Sequence, residues 1–557
     1  MKKLLLMTFF VVTFFAISAV SASAIVNDTV KVGLRYGSTA MFSANLENAA
    51  GEGYSFGYFD EQRTFVPVGT TSERAISMTA AGDIYMNADG TYSADASSGG
   101  TYIGPWHVQL DGLASYEDAV VAAEQLGGYP AWIDLGYVIR IGSFATEEEA
   151  TAYAEALGSG YAVQSSSTGV IVTVTRTSSI LFEFDCSGIL SLGVMPEGLG
   201  EEAVTWFKGY KYPGGFEYPR LTGGDLHVYN LVNLENYVKG VIPYEMNNQW
   251  PGAALQAQAI CARTYACRDS KHTTAYGFDV CNTTDCQVYY GYSGSNGNGP
   301  NANTNAAVES TAGLKLYHEG DMVQNAVYHA SNGGATEDVA NVWGSTRAYL
   351  VGKEDPYEAL VSIPNYNWTV TYTAAELTWI LEEKGYSIGT VKNVYVSEYT
   401  PLGNVKKVTF EGSRGSKTVS GETCRTIFYS STYNKSVRSM RFGINGSRPS
   451  SNEELYVNSS KNSLTSLDGI SVLSGSGTLS RLSGDTFTVL SASGKNTVKS
   501  GATSVKPTTG QSGTFVIEGS GSGHNLGMSQ QGARAMAEAG YTYEDILHFY
   551  YTDITIA

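Results

Sequence analysis

Residues 233–267 have the sequence NLENYVKGVIPYEMNNQWPGAALQAQAICARTYAC, which carries the clearest structural pattern in the chain. Pro251 suits the start of a helix, and small or apolar residues then recur at spacings of four, three and four at Leu255, Ala259, Ala262 and Ala266. The pattern predicts a helix that packs closely against a neighbour. The run VKGVI ahead of it is β-like in composition, and PYEMNNQW between the two predicts a loop.

Glu245 is the candidate catalytic group of this predicted loop, where it is flanked by Tyr244, Met246 and Trp250. A carboxyl group among apolar and aromatic neighbours loses solvation, which raises its pKa toward the value that a general acid needs near neutral pH. A Glu near a helix start is also common as a solvated or capping residue. Composition alone therefore leaves both roles open.

Residues 1–24 contain the three parts of a secretory signal peptide: Lys2 and Lys3, the apolar run LLLMTFFVVTFFAISAV, and Ala22-Ser23-Ala24. We therefore expect a secreted or cell-wall-associated protein. An uncleaved N-terminal membrane anchor is the alternative, because the run is about long enough to span a bilayer. The formal charge of −18 at pH 7 argues against nucleic acid as a partner.

The rest of the chain predicts an α+β, multidomain fold. Residues 25–100 form a β-rich segment of short strands and turns. Residues 101–178 contain two similar strand–helix–strand units, whose helices start after Ser115 and Thr146. Residues 180–557 form the largest, β-rich domain with a few helices, interrupted near 450–512 by a Ser/Gly-rich insertion with strand-like runs such as TFTVLSA.

The internal repeat in residues 101–178 predicts one compact sheet with two helices on one face. Its order and length resemble a SPOR domain, a ferredoxin-like module that binds glycan strands lacking stem peptides. The resemblance implies glycan binding here. A ferredoxin-like spacer without that function is the alternative.

Five ordered blocks resemble the stage II sporulation protein D (SpoIID) and LytB family. The segment around PYEM is followed by CQVYYG at 286–291, YHASNGGATEDVANVWG at 328–344, RAYLVGKEDP at 347–356 and GSGSGHNLGMSQQGARAMAEAG at 519–540. The resemblance implies a peptidoglycan lytic transglycosylase with Glu245 as its catalytic residue. One carboxyl group would act as acid and then as base on the bond between N-acetylmuramic acid and N-acetylglucosamine, leaving 1,6-anhydro ends. No cofactor is required for this chemistry.

The same blocks imply a substrate-binding set around Glu245. It comprises Tyr244, Met246, Trp250, Ser331, Gly333, Gly334, His524, Met528 and Gln530. Purely structural roles are the alternative, with SNGG at 331–334 as a glycine turn and Ser529 as the cap of a helix that ends at Gly540. Glu337 and Asp338 are either helpers of the reaction or surface charges.

Cys281, Cys286 and His272 form a candidate structural zinc site. The arrangement resembles one in some family members. A disulfide between Cys281 and Cys286 is the competing hypothesis, because exported cysteines tend to pair. Cys261 and Cys267 are predicted on different faces of one helix and are therefore not expected to pair with each other.

Two main functions remain open from the sequence, beside a third possibility, an ordinary glycoside hydrolase that uses water and would need a second carboxylate. The first is a transglycosylase delivered to peptide-free glycan by the SPOR-like domain. The second is a cell-wall-binding modifier of a partner amidase without activity of its own, as some LytB relatives are described. The occasion for either function, sporulation or vegetative wall remodelling, is not determined by these residues.

Overall fold

A computed structural model describes residues 28–95, 100–198, 203–292, 299–446 and 513–557, together with the backbone of four strands between 471 and 499. The predicted signal peptide and most of the Ser/Gly-rich insertion lie outside the described residues. None of the helices described is long and apolar enough to span a membrane.

The described residues contain eleven α-helices: α1 (Tyr116–Leu126), α2 (Glu147–Leu157), α3 (Leu234–Glu245), α4 (Gly252–Ala266), α5 (Lys271–Tyr276), α6 (Ala302–Ser310), α7 (Val339–Val342), α8 (Ala374–Glu383), α9 (Thr423–Thr426), α10 (Gln530–Glu538) and α11 (Tyr543–Tyr550). Short 3-10 turns occur at Gly37–Thr39, Leu221–Gly223 and Glu358–Leu360.

The strands of the N-terminal half are β1 (Thr29–Arg35), β2 (Ser43–Asn48), β3 (Gly51–Phe59), β4 (Phe65–Thr71), β5 (Ala75–Ala80), β6 (Ile84–Met86), β7 (Tyr92–Ser93), β8 (Thr101–Ile103), β9 (Trp106–Leu113), β10 (Gly128–Ile133), β11 (Gly136–Phe144), β12 (Tyr161–Gln164), β13 (Val170–Val174), β14 (Ile180–Asp185), β15 (Leu192–Gly198), β16 (Val204–Phe207), β17 (Tyr210–Pro213), β18 (Gly215–Tyr218), β19 (Val228–Asn233) and β20 (Val280–Cys281).

Those of the C-terminal half are β21 (Leu316–His318), β22 (Asp321–Met322), β23 (Tyr328–His329), β24 (Asn367–Thr373), β25 (Val391–Tyr399), β26 (Val405–Gly412), β27 (Ser416–Ser420), β28 (Phe442–Ile444), β29 (Ser471–Leu473), β30 (Leu479–Arg481), β31 (Thr486–Ser491), β32 (Gly494–Lys499), β33 (Thr514–Ser520), β34 (Met528–Ser529) and β35 (Ile554–Ile556). Strand β31 coincides with the predicted run TFTVLSA.

The fold is α+β, β-rich and built from several sheets. A seven-stranded sheet has the order β20-β1-β19-β18-β15-β3-β4, and a ten-stranded sheet has the order β12-β9-β11-β10-β14-β13-β5-β2-β16-β17. Both sheets join strands from residues 28–80 to strands beyond residue 180. The strand pairing therefore crosses the domain boundary that the sequence predicts near residue 180.

The repeat unit of residues 101–178 supplies one end of the ten-stranded sheet. Its strands lie in the order β12-β9-β11-β10, and α1 and α2 cover one face over Val108, Ile139 and Ile141. The predicted caps are confirmed, because the Ser115 and Thr146 side chains each accept a backbone hydrogen bond from the first turn of their helix. Strand β10 then pairs in parallel with β14, which joins the unit to the rest of the sheet.

Two large hydrophobic cores lie in the C-terminal region. The first packs α3, α4, α10 and α11 against the N-terminal sheets. The second consists of residues between 368 and 444 together with Phe515 and Ile517. The sheet β24-β33-β28 belongs to this second core, and the candidate site lies where chain segments from both cores meet.

Candidate functional site

Glu245 is the last residue of helix α3. The prediction of a strand over VKGVI and of a loop at Glu245 is wrong: the helix continues to Glu245 with Pro243 inside its last turn. Pro243 has no N–H to donate to the carbonyl four residues earlier, so the helix lacks one hydrogen bond in its last turn. Burial of Tyr237, Val238 and Val241 against the first core favours the helix over the strand that the β-branched residues suggest.

The helix α4 holds α3 in place, as the predicted close packing requires. Its start after Pro251 is confirmed, and ten of its side chains lie in a buried interior together with a fully buried Arg263. Arg263 donates two hydrogen bonds to Glu235 in the first turn of α3, at 2.8 and 2.6 Å. This bidentate pair fixes the helix that carries Glu245.

Hydrogen bonds orient the Glu245 carboxyl group. The Val288 backbone N–H donates to its Oε1 at 3.2 Å. Behind it, the Tyr237 hydroxyl donates to Gln287 at 3.0 Å, and the Gln287 amide donates to the Tyr328 hydroxyl at 3.1 Å. Because Tyr328 accepts from Gln287, its own proton is directed to Glu245, with which it also interacts.

The pKa of Glu245 is raised above its ordinary value. Burial is the largest cause, and hydrogen bonds from Val288, Tyr328 and Gln530 offset only part of it. The ion pairs found within the described residues do not include Glu245. A half-buried carboxyl group without a cationic partner holds its proton to higher pH, which is the property required of a general acid.

Glu245 opens into a cleft of about 590 Å³. Its wall comes from distant parts of the chain: Glu245, Tyr265, Thr284, Asp285, Cys286, Val288, Val327, Tyr328, His329, Trp343, Glu422, Gly523 and His524. Three of these residues are carboxylic acids and none is Lys or Arg. The cleft therefore favours a ligand without strong negative charge.

Part of the cleft wall lies in a segment that matches a known protein family. The family model described as stage II sporulation protein matches residues 222–318, which include α3, α4 and the segment up to Cys286 and beyond. Over this segment the chain is similar to the SpoIID/LytB family. The family model ends before the later blocks. In the structure, the block at 328–344 supplies Tyr328, His329 and Trp343 to the cleft wall, the block at 519–540 supplies Gly523 and His524, and the block at 347–356 supplies no wall residue.

Relatives within the SpoIID/LytB family have differing names. The chain is 33% identical over 336 residues to the amidase enhancer of Bacillus subtilis, covering 57% of this chain but only 40% of that protein. It is 26% identical over 336 residues to stage II sporulation protein D of the same organism, covering 58% and 75% of the two chains. The protein of that name from Bacillus amyloliquefaciens is 31% identical over 160 residues, which is 27% of this chain and 46% of the relative.

Of the nine substrate-binding residues that the family resemblance implies, all of which are described, His524 alone lines the cleft. Met246 and Met528 are buried in the first core. Trp250 packs against that core with Arg534 over its ring, and Tyr244 packs edge-on against Tyr290. The contacts of these four side chains are therefore packing contacts outside the cleft wall.

Gln530 contacts Glu245 from the first turn of α10. Its amide donates to the Glu245 backbone carbonyl at 3.0 Å, which ties the end of α3 to α10. The predicted cap is confirmed, because the Ser529 hydroxyl accepts from the Gly532 N–H, and the helix ends at Glu538, shortly before Gly540.

The SNGG turn at 331–334 lies outside the cleft wall and is held by Glu358. This buried carboxylate accepts hydrogen bonds from the Ser331 hydroxyl and from the Gly333 N–H. Gly333 has φ of +76°, and a Cβ there would clash with the Ser520 carbonyl, so glycine is required. Gly334 has φ of +121° and donates its N–H to the side chain of Asn332.

The two acidic residues that follow this turn are structural. Glu337 is buried and accepts hydrogen bonds from Asn341, Thr400 and Asn404, so the prediction of a surface charge is wrong for it. Asp338 caps helix α7 through the Ala340 N–H. Neither residue lines the cleft.

The predicted metal ligands lie together beside the cleft. Donor atoms of His272, Cys281, Cys286 and Asp285 all lie within 4.8 Å of one another. All six cysteines are free thiols, so the structure contains no disulfide between Cys281 and Cys286. Asp285, which the sequence pattern did not single out, accepts from His272 Nε2 at 3.2 Å.

Trp343 and Glu422 are cleft residues that the sequence pattern did not identify, whereas His329 was expected only near the SNGG turn. His329 and Trp343 lie inside a recognised family block, but no spacing rule separates them from their neighbours. Glu422 comes from the second core, at the start of α9. Glu422 accepts a hydrogen bond from the Trp343 indole N–H at 2.8 Å. This contact depends on the tertiary fold, so no local pattern predicts it.

Proposed function

We propose that the chain is an extracytoplasmic lytic transglycosylase that cleaves the bond between N-acetylmuramic acid and N-acetylglucosamine in peptide-free peptidoglycan. The observation that carries the proposal is the Glu245 carboxyl group, which opens into a large cleft, has a raised pKa and forms no ion pair. The predicted signal peptide and the family's association with sporulation support an extracytoplasmic location.

The proposed reaction uses Glu245 twice. The protonated carboxyl group donates its proton to the glycosidic oxygen, the C1–O bond breaks, and an oxocarbenium-like centre forms on the muramic acid ring. The Glu245 carboxylate then accepts the proton of the C6 hydroxyl as O6 bonds to C1. The Val288 N–H and the Tyr328 hydroxyl stabilise the transient carboxylate without preventing its reprotonation.

A second candidate function is supported by the relative named amidase enhancer. In that case the cleft binds glycan and the chain acts on a partner amidase, with no bond cleavage of its own. A third possibility is hydrolysis with water, which requires a second carboxylate. Glu422 lies in the same cleft wall and is the candidate for that role.

One assay separates the three functions. Purified protein is incubated with peptide-free glycan strands, and the products are analysed by mass spectrometry. We expect 1,6-anhydromuramic ends, and we expect Glu245→Gln to reduce their formation by at least about 100-fold. Glu309→Gln, which changes a carboxylate paired with Lys239 outside the cleft wall, is the matched control and should retain activity.

Each other outcome favours a different function. Reducing ends in place of anhydro ends would contradict the transglycosylase mechanism, and their loss in Glu422→Gln would favour hydrolysis. No cleavage by wild type, with stimulation of an added cell-wall amidase, would favour the modifier.

A zinc ion held by His272, Cys281, Cys286 and Asp285 is the second part of the proposal. The set of two thiols, one imidazole and one carboxylate matches the ligands that Zn²⁺ prefers, and four ligands make a closed structural site. Cys281 lies on β20, which pairs with β1, while Asp285 and Cys286 line the cleft. The ion would thus join the N-terminal sheet to the cleft wall.

Residues 101–178 are proposed as a SPOR-like glycan-binding unit. The arrangement of four strands with two helices on one face supports this proposal. Tyr161 lies on β12 opposite Gln109, on the face without helices, and is 49% exposed. Its ring offers a surface on which a sugar can stack.

A further inference from the structure

His329 contains an unused hydrogen-bond acceptor in the wall of the cleft. Its Nδ1 lies 2.9 Å from the Leu526 carbonyl oxygen, so Nδ1 carries the proton and donates. The other ring nitrogen, Nε2, is therefore unprotonated, and no hydrogen-bond partner for it exists among the described residues. The side chain is only 5% exposed. A buried acceptor of this kind is costly unless a ligand satisfies it.

The surroundings keep this acceptor neutral and leave the ring in place. Burial and the neighbouring His524 lower the pKa of His329 to about 3, so the ring stays uncharged at neutral pH. Gly523, also in the cleft wall, adopts φ of +127°, and a Cβ there would lie 2.6 Å from the Cβ of His329. Glycine at this position leaves the imidazole undisturbed.

Trp343 lies on the same side of the cleft. Its indole is 38% exposed, and its N–H is fixed by Glu422 at 2.8 Å, which holds the ring plane in place. His524 stands between the two residues, with its ring centroid 5.3 Å from that of Trp343 and 5.5 Å from that of His329. An aromatic surface beside a neutral acceptor is suited to a sugar, whose apolar face stacks while its polar groups donate.

We infer that Trp343 and His329 form a saccharide subsite, in which a sugar ring stacks on the indole and donates an amide N–H or a hydroxyl to His329 Nε2. The inference rests on the proposed function for the kind of ligand, and it assigns His329 a positioning role. The donor is an amide N–H or a hydroxyl because these are the donor groups that a glycan of N-acetylated sugars presents.

The binding test uses Glu245→Gln, so that cleavage does not interfere. Tetra-N-acetylchitotetraose is titrated calorimetrically into this parent and into double variants. We expect Trp343→Ala to weaken binding about tenfold. The matched control is Trp379→Ala, because Trp379 is 36% exposed but packs on Tyr433 in the second core, outside the cleft wall. It should leave binding unchanged.

Two substitutions separate the two nitrogens of His329. Asparagine can retain the bond to Leu526 but lacks an acceptor at the Nε2 position, whereas glutamine can place its amide oxygen there. We expect His329→Asn to weaken binding about fivefold and His329→Gln to remain within about twofold of the parent. Thermal melting checks that each variant is folded.

Equal binding by His329→Asn and the parent, equal losses in the Asn and Gln variants, or no binding by the parent would each overturn the inference. Cellotetraose, which has a hydroxyl in place of the acetamido group, identifies the donor. A penalty in His329→Asn for the chito-oligomer alone assigns the amide N–H, and a penalty for both oligomers assigns a hydroxyl. Because binding is measured without turnover, absence of anhydro ends from wild type would remove the proposed reaction and leave this result intact.

Discussion

Glu183 in the ten-stranded sheet and Glu245 in the cleft are both largely removed from solvent, yet their pKa values move in opposite directions. Glu183 lies against Arg140, His107 and the Ser165 hydroxyl, and these partners outweigh burial and hold its pKa below the ordinary value. Glu245 has only neutral donors, and burial raises its pKa. Burial alone therefore does not indicate a catalytic carboxyl group. A compensating cation decides the direction in which the pKa moves, and a position in the cleft wall distinguishes Glu245 from the structural Glu358, whose pKa is also raised.

The largest effect expected from this comparison is on stability. Glu183→Gln leaves the buried Arg140 guanidinium without its ion-pair partner, so the free energy of unfolding should fall by about 3–5 kcal/mol. Glu245→Gln removes no cationic contact and should change the free energy of unfolding by less than about 1 kcal/mol. Urea denaturation measures both variants. Equal destabilisation by the two substitutions would contradict the different roles of Glu183 and Glu245.

The second effect concerns the proposed zinc site beside the cleft. Chelation should lower the melting temperature by about 5 °C or more, because a bound ion stabilises only the folded chain. Cys281→Ser should lower the zinc content measured by inductively coupled plasma mass spectrometry. It should also abolish the change in melting temperature on chelation. Cys186→Ser, at a buried free thiol of the N-terminal sheets, is the control and should retain both. Zinc-free protein with unchanged melting would contradict the site.

The third effect is a pH dependence of opposite sign at the two carboxyl groups. Glu183 has a lowered folded pKa, so its stabilisation is present above the ordinary value of 4.5 and is lost as pH falls through the folded pKa. Glu245 has a raised folded pKa, so its ionisation costs stability as pH rises above 4.5. As pH rises from acid to neutral, the free energy of unfolding of Glu245→Gln should therefore increase relative to that of wild type. The same pKa predicts that activity declines as Glu245 loses its proton.

The smallest effect tests glycan binding by residues 101–178. Deleting them would remove β13 as well as β10, which pair with β5 and β14, so a deletion would disrupt the ten-stranded sheet instead of removing a separate module. Tyr161→Ala should instead lower retention on peptide-free glycan about twofold to threefold. Tyr153→Ala, at a 42% exposed tyrosine on the helix-covered side, is the control. Equal retention by both variants would argue for a spacer.

Local sequence rules predicted the parts of the fold that depend on local chemistry. The caps at Ser115, Thr146 and Ser529 and the helix after Pro251 are confirmed, because a cap or a small-residue stripe is a property of a few consecutive residues. The helix at VKGVI was missed for the complementary reason. Its β-branched residues favour a strand locally, and packing against the first core determines the helix.

The candidate site divides in the same way. Glu245 and the cluster at His272, Cys281 and Cys286 come from the family block and from cysteine spacing, whereas Asp285 joins the cluster only through the fold of its loop. Trp343 and Glu422 are 79 positions apart and meet through one hydrogen bond. The charge state of Glu245 also depends on neighbours such as Tyr328 and Val288, which one sequence does not place in space.

The antiparallel pairing of β28 with β33 has a practical consequence. Ile444 lies opposite Ile517, so the chain leaves and re-enters the second core at neighbouring strands of one sheet. The ends of the intervening segment are therefore already held together by the sheet, and doubling its length costs only about 0.6 kcal/mol of loop entropy. This position is therefore suited to the insertion of a reporter domain, because an insertion there leaves the hydrogen bonds of the cleft residues in place.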